Sequence, residues 1–323
     1  MSDNPQARIW ELMRGFMATQ ALYVAARLGV ADELAGGPRP VREIARSAGA
    51  DPDAVHRFLR ALAGEGVFAE VEPGVFRNTP ASELLRRENA WHDFALLFGT
   101  SWYRAFAEAL HAARAGEATF PRVFGTDWWT WLAQNPEEGA RFNRAMQGEG
   151  TAEHFADVEW RGDETVVDVG GGNGALLIAL LRSRPVLRGV VFELPEVARE
   201  AEERVAEAGL SDRCRVVAGS FFDGVPEGGD TYVLSTVLHD WDDEAAGAIL
   251  RNVRAAAPDH TRVLIADAVI QPGNDPAGAK WLDLLMLVLL RGRERTEEEW
   301  RALLAGAGFR LERVEPVLEA VPV

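Results

Sequence analysis

The chain has 323 residues, 47% of them apolar and 26% charged, and a formal net charge of −16. Such a length holds about two globular domains, and the acidic balance works against general binding to a nucleic-acid backbone. One cysteine, Cys214, excludes an internal disulfide and a cysteine metal cluster, and no apolar run approaches the roughly 18 residues of a membrane span.

The opening MSDNPQARIW lacks the basic-then-apolar order of a signal peptide, so a cytoplasmic protein with no membrane partner is expected. Helical spacing of Ile9, Leu12, Met13, Phe16, Met17, Leu22, Val24 and Leu28 predicts one helix over 5–28, stopped at Gly29. Its apolar positions cover more than one face, which points to packing on a partner subunit. A short helix begins at Val41. Asp51-Pro52-Asp53 caps a second, which turns Val55, Phe58, Leu59 and Leu62 inward and stops at Gly64–Gly66. Strands at 67–71 and 74–77 flank a Pro-Gly turn. Helix, turn, helix, hairpin is a winged-helix pattern. A DNA reader would use 53–64, with His56, Arg57 and Arg60. Residues 37–88 hold eight Arg against eight acids, so no basic footprint is present, and no nucleic-acid partner is expected.

Residues 91–160 read as helical and aromatic, including Trp102, Trp128, Trp129, Trp131 and Phe142. That density suits a cavity for a flat, apolar ligand. From 163 onward, strands at 165–169, 190–193, 214–218, 231–235 and 263–268 alternate with helices at 174–183, 195–208 and 242–257. This is the α/β pattern of a parallel sheet covered on both faces. The last two strands, 309–314 and 318–323, are joined by only three residues. No crossover helix fits there, so they must be antiparallel. Three segments follow: a winged-helix domain at 1–90, a helical linker and pocket region at 91–160, and an α/β domain at 161–323.

Between the first strand and its helix lies Asp168-Val169-Gly170-Gly171-Gly172-Asn173-Gly174. Glycines there let the backbone pass close to a ligand, and Glu193 ends the next strand, where it can accept from ribose hydroxyls. By themselves these features suit a dinucleotide equally well, since Gly170-x-Gly172-x-x-Ala175 satisfies that fingerprint. The terminal hairpin tips the choice towards S-adenosylmethionine (SAM). So does Asp168, a carboxylate placed to hold the ammonium of SAM's methionine part.

Five ordered motifs then carry a resemblance: Val167–Gly174, Phe192-Glu193-Leu194-Pro195, Gly219-Ser220-Phe221-Phe222, Leu238-His239-Asp240-Trp241-Asp242-Asp243-Glu244 and Gly292-Arg293-Glu294-Arg295-Thr296. Together they resemble the small-molecule O-methyltransferases of the plant caffeate and isoflavone type, above all bacterial members that tailor aromatic polyketides and related antibiotics. The resemblance implies a Rossmann-like sheet with a terminal antiparallel hairpin, preceded by a winged-helix dimerisation domain. It implies a homodimer through the N-terminal helices, SAM as cofactor with S-adenosylhomocysteine as product, no metal, and an aromatic acceptor.

It also implies a histidine base, matched by His239, with flanking carboxylates at Asp267 and Glu294. The chemistry supports a base independently, since a phenol has a pKa of about 10 and must lose its proton as the oxygen attacks. The expected cofactor contacts are Asp168, Gly170, Gly172, Glu193, Gly219, Ser220, Phe221 and Ser235. Ser220 stands where the family often has an acid, and Ser235–Thr236 where it often has a base, so contacts there depart from the pattern. Phe142 and Met146 match acceptor-lining positions. Trp281, Met286 and Leu290 are expected on an opposite wall, with Trp129 or Trp131 closing it. Asp240, Asp242 and Asp243 read as helix caps. The alternatives are C- or N-methylation or SAM-dependent decarboxylation or hydroxylation on the same scaffold, an NAD oxidoreductase, and a DNA-binding regulator.

Overall fold

A computed structural model describes residues 4–146, 150–274 and 276–323. The chain forms two compact units, one from the described residues of 1–107 and 129–148, the other from those of 108–128 and 149–323. The segment 91–160 is therefore shared between two cores instead of standing alone. Helix Ala90–Gly99 packs on Gly15–Arg27 and Pro136–Met146 within the first unit. Residues 119–124 sit on helix Gly278–Leu290 in the second, where the Thr119 N–H donates to the Val288 carbonyl at 2.9 Å.

In the first unit the helix expected over 5–28 is two helices, Pro5–Met13 and Gly15–Arg27. Gly15 is a poor helix former, and the Arg14 guanidinium between the helices reaches across to Glu65. Helix Pro5–Met13 buries none of its residues. Ile9, Trp10, Leu12, Met13, Phe16 and Met17 are each about half exposed or more, an apolar surface left open to solvent. Helices Val41–Ser47 and Pro52–Gly64 and antiparallel strands Phe68–Glu72 and Val75–Asn78 give the expected winged-helix pattern, with Arg39–Pro40 as a short third strand. Ile44, Val55, Leu59, Leu62, Phe68 and Phe76 form the core. Phe58, expected inward, is exposed, because it sits next to Leu59 and so on another side of the helix. The buried Asp93 carboxylate accepts two bonds from Arg144 at 2.9 Å each, tying Pro136–Met146 to Ala90–Gly99.

The second unit is built on a seven-stranded sheet: β1 Thr165–Val169, β2 Arg188–Glu193, β3 Cys214–Ala218, β4 Thr231–Ser235, β5 Arg262–Ala266, β6 Phe309–Arg313 and β7 Leu318–Pro322. The order is β6-β7-β5-β4-β1-β2-β3. β1 to β5 are parallel, while β7 is antiparallel to both β5 and β6. The hairpin thus sits as expected, with its second strand inserted beside the parallel set. Both faces are covered, which explains the unbroken apolar runs in β4 and β5. Tyr232, Leu234, Ile249, Leu250 and Trp300 fill one side, and Val166, Leu177, Val191, Val233 and Leu264 the other. Cys214 is buried at a strand start. Among the described residues no helix is long and apolar enough to cross a membrane.

This topology puts the carboxyl ends of β1, β2, β3, β4 and β5 along one edge. Asp168, Glu193, Gly219, Ser235 and Asp267 all lie at those ends, where parallel α/β sheets bind ligands.

Candidate active site

The 3-10 turn Leu238–Asp240 follows β4 and carries His239, which is 7% exposed. Its Nδ1 lies 2.6 Å from Oε1 of the buried Glu294. A carboxylate partner requires the proton on Nδ1, which leaves Nε2 as the nitrogen able to accept. The His239 backbone N–H donates to Oδ2 of Asp267 at 3.0 Å. Oδ1 of Asp240 lies 3.5 Å from Nε2. Asp240 is therefore a neighbour of the His239 imidazole and not a helix cap. The cap of the following helix is Asp242, which accepts from Ala245 N–H at 3.0 Å, and Asp243 pairs with Arg293 and Arg295.

Burial by itself would push the His239 imidazolium down. The surrounding carboxylates Asp267, Asp240 and Glu294 overcome it and raise its pKa to about 10. Burial drives the carboxyls up. Asp240 rises to about 7 against the pull of His239, and Asp267 and Glu294 are also raised.

The segment after helix Gly278–Leu290 straps onto this turn. The Arg293 N–H donates to the His239 carbonyl at 2.8 Å, and Glu294 N–H donates to Oδ1 of Asp283 at 2.9 Å. Gly292 passes so close that a Cβ there would overlap the His239 carbonyl oxygen and the Asp240 carbonyl group. Only glycine allows that approach.

The glycine loop is the second half of the site. Gly170 takes φ 72°, the left-handed region that disfavours a side chain. Its missing Cβ leaves room for Val237 and Phe221. Glu193 accepts from Gly172 N–H at 2.9 Å and from Leu194 N–H at 2.7 Å, so one carboxylate organises the loop and ends β2. Burial raises Glu193 despite those bonds. Asp168 is 1% exposed, and burial with Glu193 nearby raises it to about 7. Gly219 lies against the Phe192 ring. Ser220 Oγ accepts from Phe222 N–H at 3.2 Å, and Phe221 packs edge-on to Phe222 and Trp241.

One observation tests whether these residues fit a bound cofactor and acceptor. Asp168 Oδ2, Ser235 Oγ, Asp267 Oδ1 and Glu294 Oε2 are all buried without a hydrogen-bond partner. Buried polar atoms are rarely left so, and these four lie on one sheet edge and its strap. Their chemistry suits a cationic, hydrogen-bonding group such as SAM, whose ammonium and sulfonium need anionic surroundings. Among the described residues no group of three His, Cys, Asp or Glu is placed to hold a metal ion.

His239, Asp267 and Glu294 are thus brought together, and Asp168, Gly170, Gly172, Glu193, Gly219, Ser220, Phe221 and Ser235 lie at or just beyond the carboxyl ends of the parallel strands. The acceptor positions are more scattered. On helix Gly278–Leu290 Trp281 is exposed while Met286 is buried, so the two do not share a face; Leu290 is half-buried at its end. In the first unit Trp129 meets Phe142 edge-on at 5.7 Å, and Met146 is the last residue of its helix. Sequence reasoning missed Asp240, Gly292, Asp283 and Arg295 as parts of the site. The signal for three of them was their position beside His239 and Glu294 within quoted motifs; Asp283 carried none.

Fold and site together define a SAM-dependent methyltransferase with an appended helical domain. Residues 103–310 match the O-methyltransferase domain family, and residues 10–88 match the O-methyltransferase dimerisation domain. The chain belongs to this family of SAM-dependent O-methyltransferases. It is 44% identical to a phenazine O-methyltransferase of Lysobacter antibioticus, over 97% of this chain and 95% of that one. It is 39% identical to a 3-amino-4-hydroxybenzoate 4-O-methyltransferase of Streptomyces cremeus, over 97% and 87%. Among solved structures, an O-methyltransferase of neocarzinostatin biosynthesis in complex with SAM and 2-hydroxy-5-methyl naphthoic acid matches with a TM-score of 0.80 and 37% identity, covering 94% of this chain and 96% of that one.

Proposed function

We propose that this enzyme methylates a hydroxyl on an aromatic small molecule of secondary metabolism, with His239 as general base. The observation that carries the reading is the 2.6 Å contact of His239 Nδ1 with buried Glu294, which keeps a proton on Nδ1 and leaves Nε2 as the nitrogen that can accept. An ordinary imidazolium, near 6.5, is a poor match for a phenol near 10; proton transfer between them is uphill by about 5 kcal/mol. The carboxylates that raise His239 to about 10 stabilise the imidazolium formed on proton transfer, and they leave the neutral base scarce until the pH is alkaline.

SAM supplies a methyl group on a sulfonium, which is already a good leaving group. The chain's own residues do the rest. Asp168 would hold the ammonium, Glu193 would accept from the ribose hydroxyls, and Phe221 with Ser220 and Gly219 would border the adenine. The unpartnered Ser235 Oγ adds a polar contact at the end of β4. Nε2 of His239 takes the phenolic proton as the oxygen takes the methyl, and Glu294 stabilises the imidazolium that forms. Asp267 fixes the turn through the His239 N–H. Met286, on the buried side of helix Gly278–Leu290, contacts the acceptor ring, while the exposed Trp281 lies on another face. The exposed apolar helices at the N-terminus pair two copies, and the enzyme works in the cytoplasm without nucleic acid.

The test is turnover with SAM and a panel of hydroxylated aromatic acids, read as S-adenosylhomocysteine formed. His239→Ala is expected to cost at least a hundredfold in kcat while SAM affinity stays within threefold. Turnover of His239→Ala within threefold of the native enzyme sinks the base assignment.

A further inference from the structure

Arg295 is fully buried in the second unit. Its guanidinium straddles the turn that carries His239. Nη1 donates to the Leu238 carbonyl at 3.0 Å and Nη2 to the Trp241 carbonyl at 2.9 Å, so one planar group clamps the residues on either side of His239-Asp240. Nη1 also donates to the Arg293 carbonyl at 3.3 Å, closing its own strap. Nε pairs with Asp243 Oδ1 at 2.9 Å, and the guanidinium lies over the Trp300 ring at 5.1 Å. Behind the side chain, the Arg295 backbone pairs with Val269 and Thr296 with Ile270, two and three residues past Asp267. In front of it stands Glu294, bonded to the imidazole. Arg295 is therefore tied to the His239 turn by its side chain, to the Asp267 segment by its backbone, and to the Glu294 strap by the adjoining peptide.

We propose that Arg295 is a positioning residue for the base: its rigid fork sets the His239 turn against Glu294 and Asp267, so that Nδ1 meets the carboxylate and Nε2 faces the acceptor. The guanidinium does so as no lysine can. Five donors in a fixed plane reach two carbonyls on either side of a turn, whereas an ammonium is a single point of donation. Arg295 touches no reacting atom. Its positive charge also opposes the rise of Asp267.

The proposal rests on His239 being the base only for its effect on rate, and the experiment separates the two. The readouts for Arg295→Lys are the far-downfield proton resonance of the His239 Nδ1–H···Glu294 bond in the full-length enzyme with S-adenosylhomocysteine, and kcat and KM with SAM. Loss of the resonance with a thirtyfold fall in kcat, KM and SAM affinity staying within threefold, is the expected result. A resonance unchanged in the folded variant overturns the positioning role, whatever the rate. A lost resonance with kcat within threefold of native supports the positioning role and sinks His239 as base instead. Should Arg295→Lys not fold, Asp243→Asn releases the outer anchor of the fork from a half-exposed side chain; a broadened resonance with a roughly fivefold lower kcat supports the clamp, and an unchanged resonance overturns it. Partial recovery of rate by added guanidinium ion in Arg295→Ala supports the clamp; an unchanged resonance in that variant overturns it.

Discussion

His239 Nδ1 and Glu294 Oε1 stand 2.6 Å apart although 55 residues separate them in the chain, and both side chains are buried. The pair forms because a strap with a glycine at its closest point lies directly on the turn after β4.

The rate should follow the protonation of this pair. With the imidazolium raised to about 10 by Asp267, Asp240 and Glu294 against burial, kcat/KM is expected to climb tenfold per pH unit through neutrality and level off towards pH 10. Glu294→Gln removes one stabilising carboxylate, so its plateau should come at lower pH and at a reduced maximum. The sign for stability is opposite. A histidine held above its ordinary 6.5 stabilises the fold below that pH, and the contribution is lost as pH rises through the folded value. A pH–rate profile that levels off near pH 6.5 in both proteins would falsify the carboxylate cage as the cause.

Asp168 is a buried carboxyl without a partner on Oδ2, raised to about 7 by burial and by Glu193. Its folded value exceeds the unfolded one, so it costs stability increasingly as pH rises from about 4 to 7, with a ceiling of about 4 kcal/mol. Asp168→Asn should therefore raise Tm at pH 8 by several degrees and by much less at pH 5. SAM affinity, read by calorimetry, should weaken at least about tenfold, as expected for losing a charged hydrogen bond. A variant that gains no Tm at pH 8 and binds SAM normally would remove Asp168 from the cofactor site.

Gly292→Ala forces a methyl group into the His239 carbonyl. Overpacking of this kind costs about 1–3 kcal/mol, and here it displaces His239 directly. The expected outcome is a folded protein with lowered Tm and a kcat reduced at least a hundredfold. Thermal melts and turnover on the same preparation check it.

The open apolar surface of the first helices makes a prediction about assembly. Trp10 and Phe16 are more than half exposed, so replacing both with Glu costs the folded protomer little. The double variant should run as a monomer by light scattering where the native chain runs as a dimer. Retention of the dimer would place the interface elsewhere.

Much of the fold was legible because its causes are local. Alternating apolar strands and capped helices read directly as a parallel α/β unit, and the three-residue link of the last hairpin dictated its antiparallel pairing. The 5–28 helix was misjudged because apolar spacing continues through Arg14-Gly15, where the backbone breaks. Asp240 was misread for a similar reason. Three aspartates in four residues at a helix start look like caps, and only the 3-10 turn decides that Asp242 caps while Asp240 lies beside the imidazole.

The sequence by itself determined the chemistry on offer: a glycine loop ended by an acid, a histidine, and two distant carboxylates in motifs that hold their order. Those are properties of residue type and short spacing. Tertiary structure alone decided how they act on one another. It brought Glu294 onto Nδ1, threaded Gly292 against the His239 carbonyl, and buried Arg295 beneath the turn. Such contacts span some fifty residues, and their geometry follows from how a strap packs on a sheet edge, which no local pattern encodes.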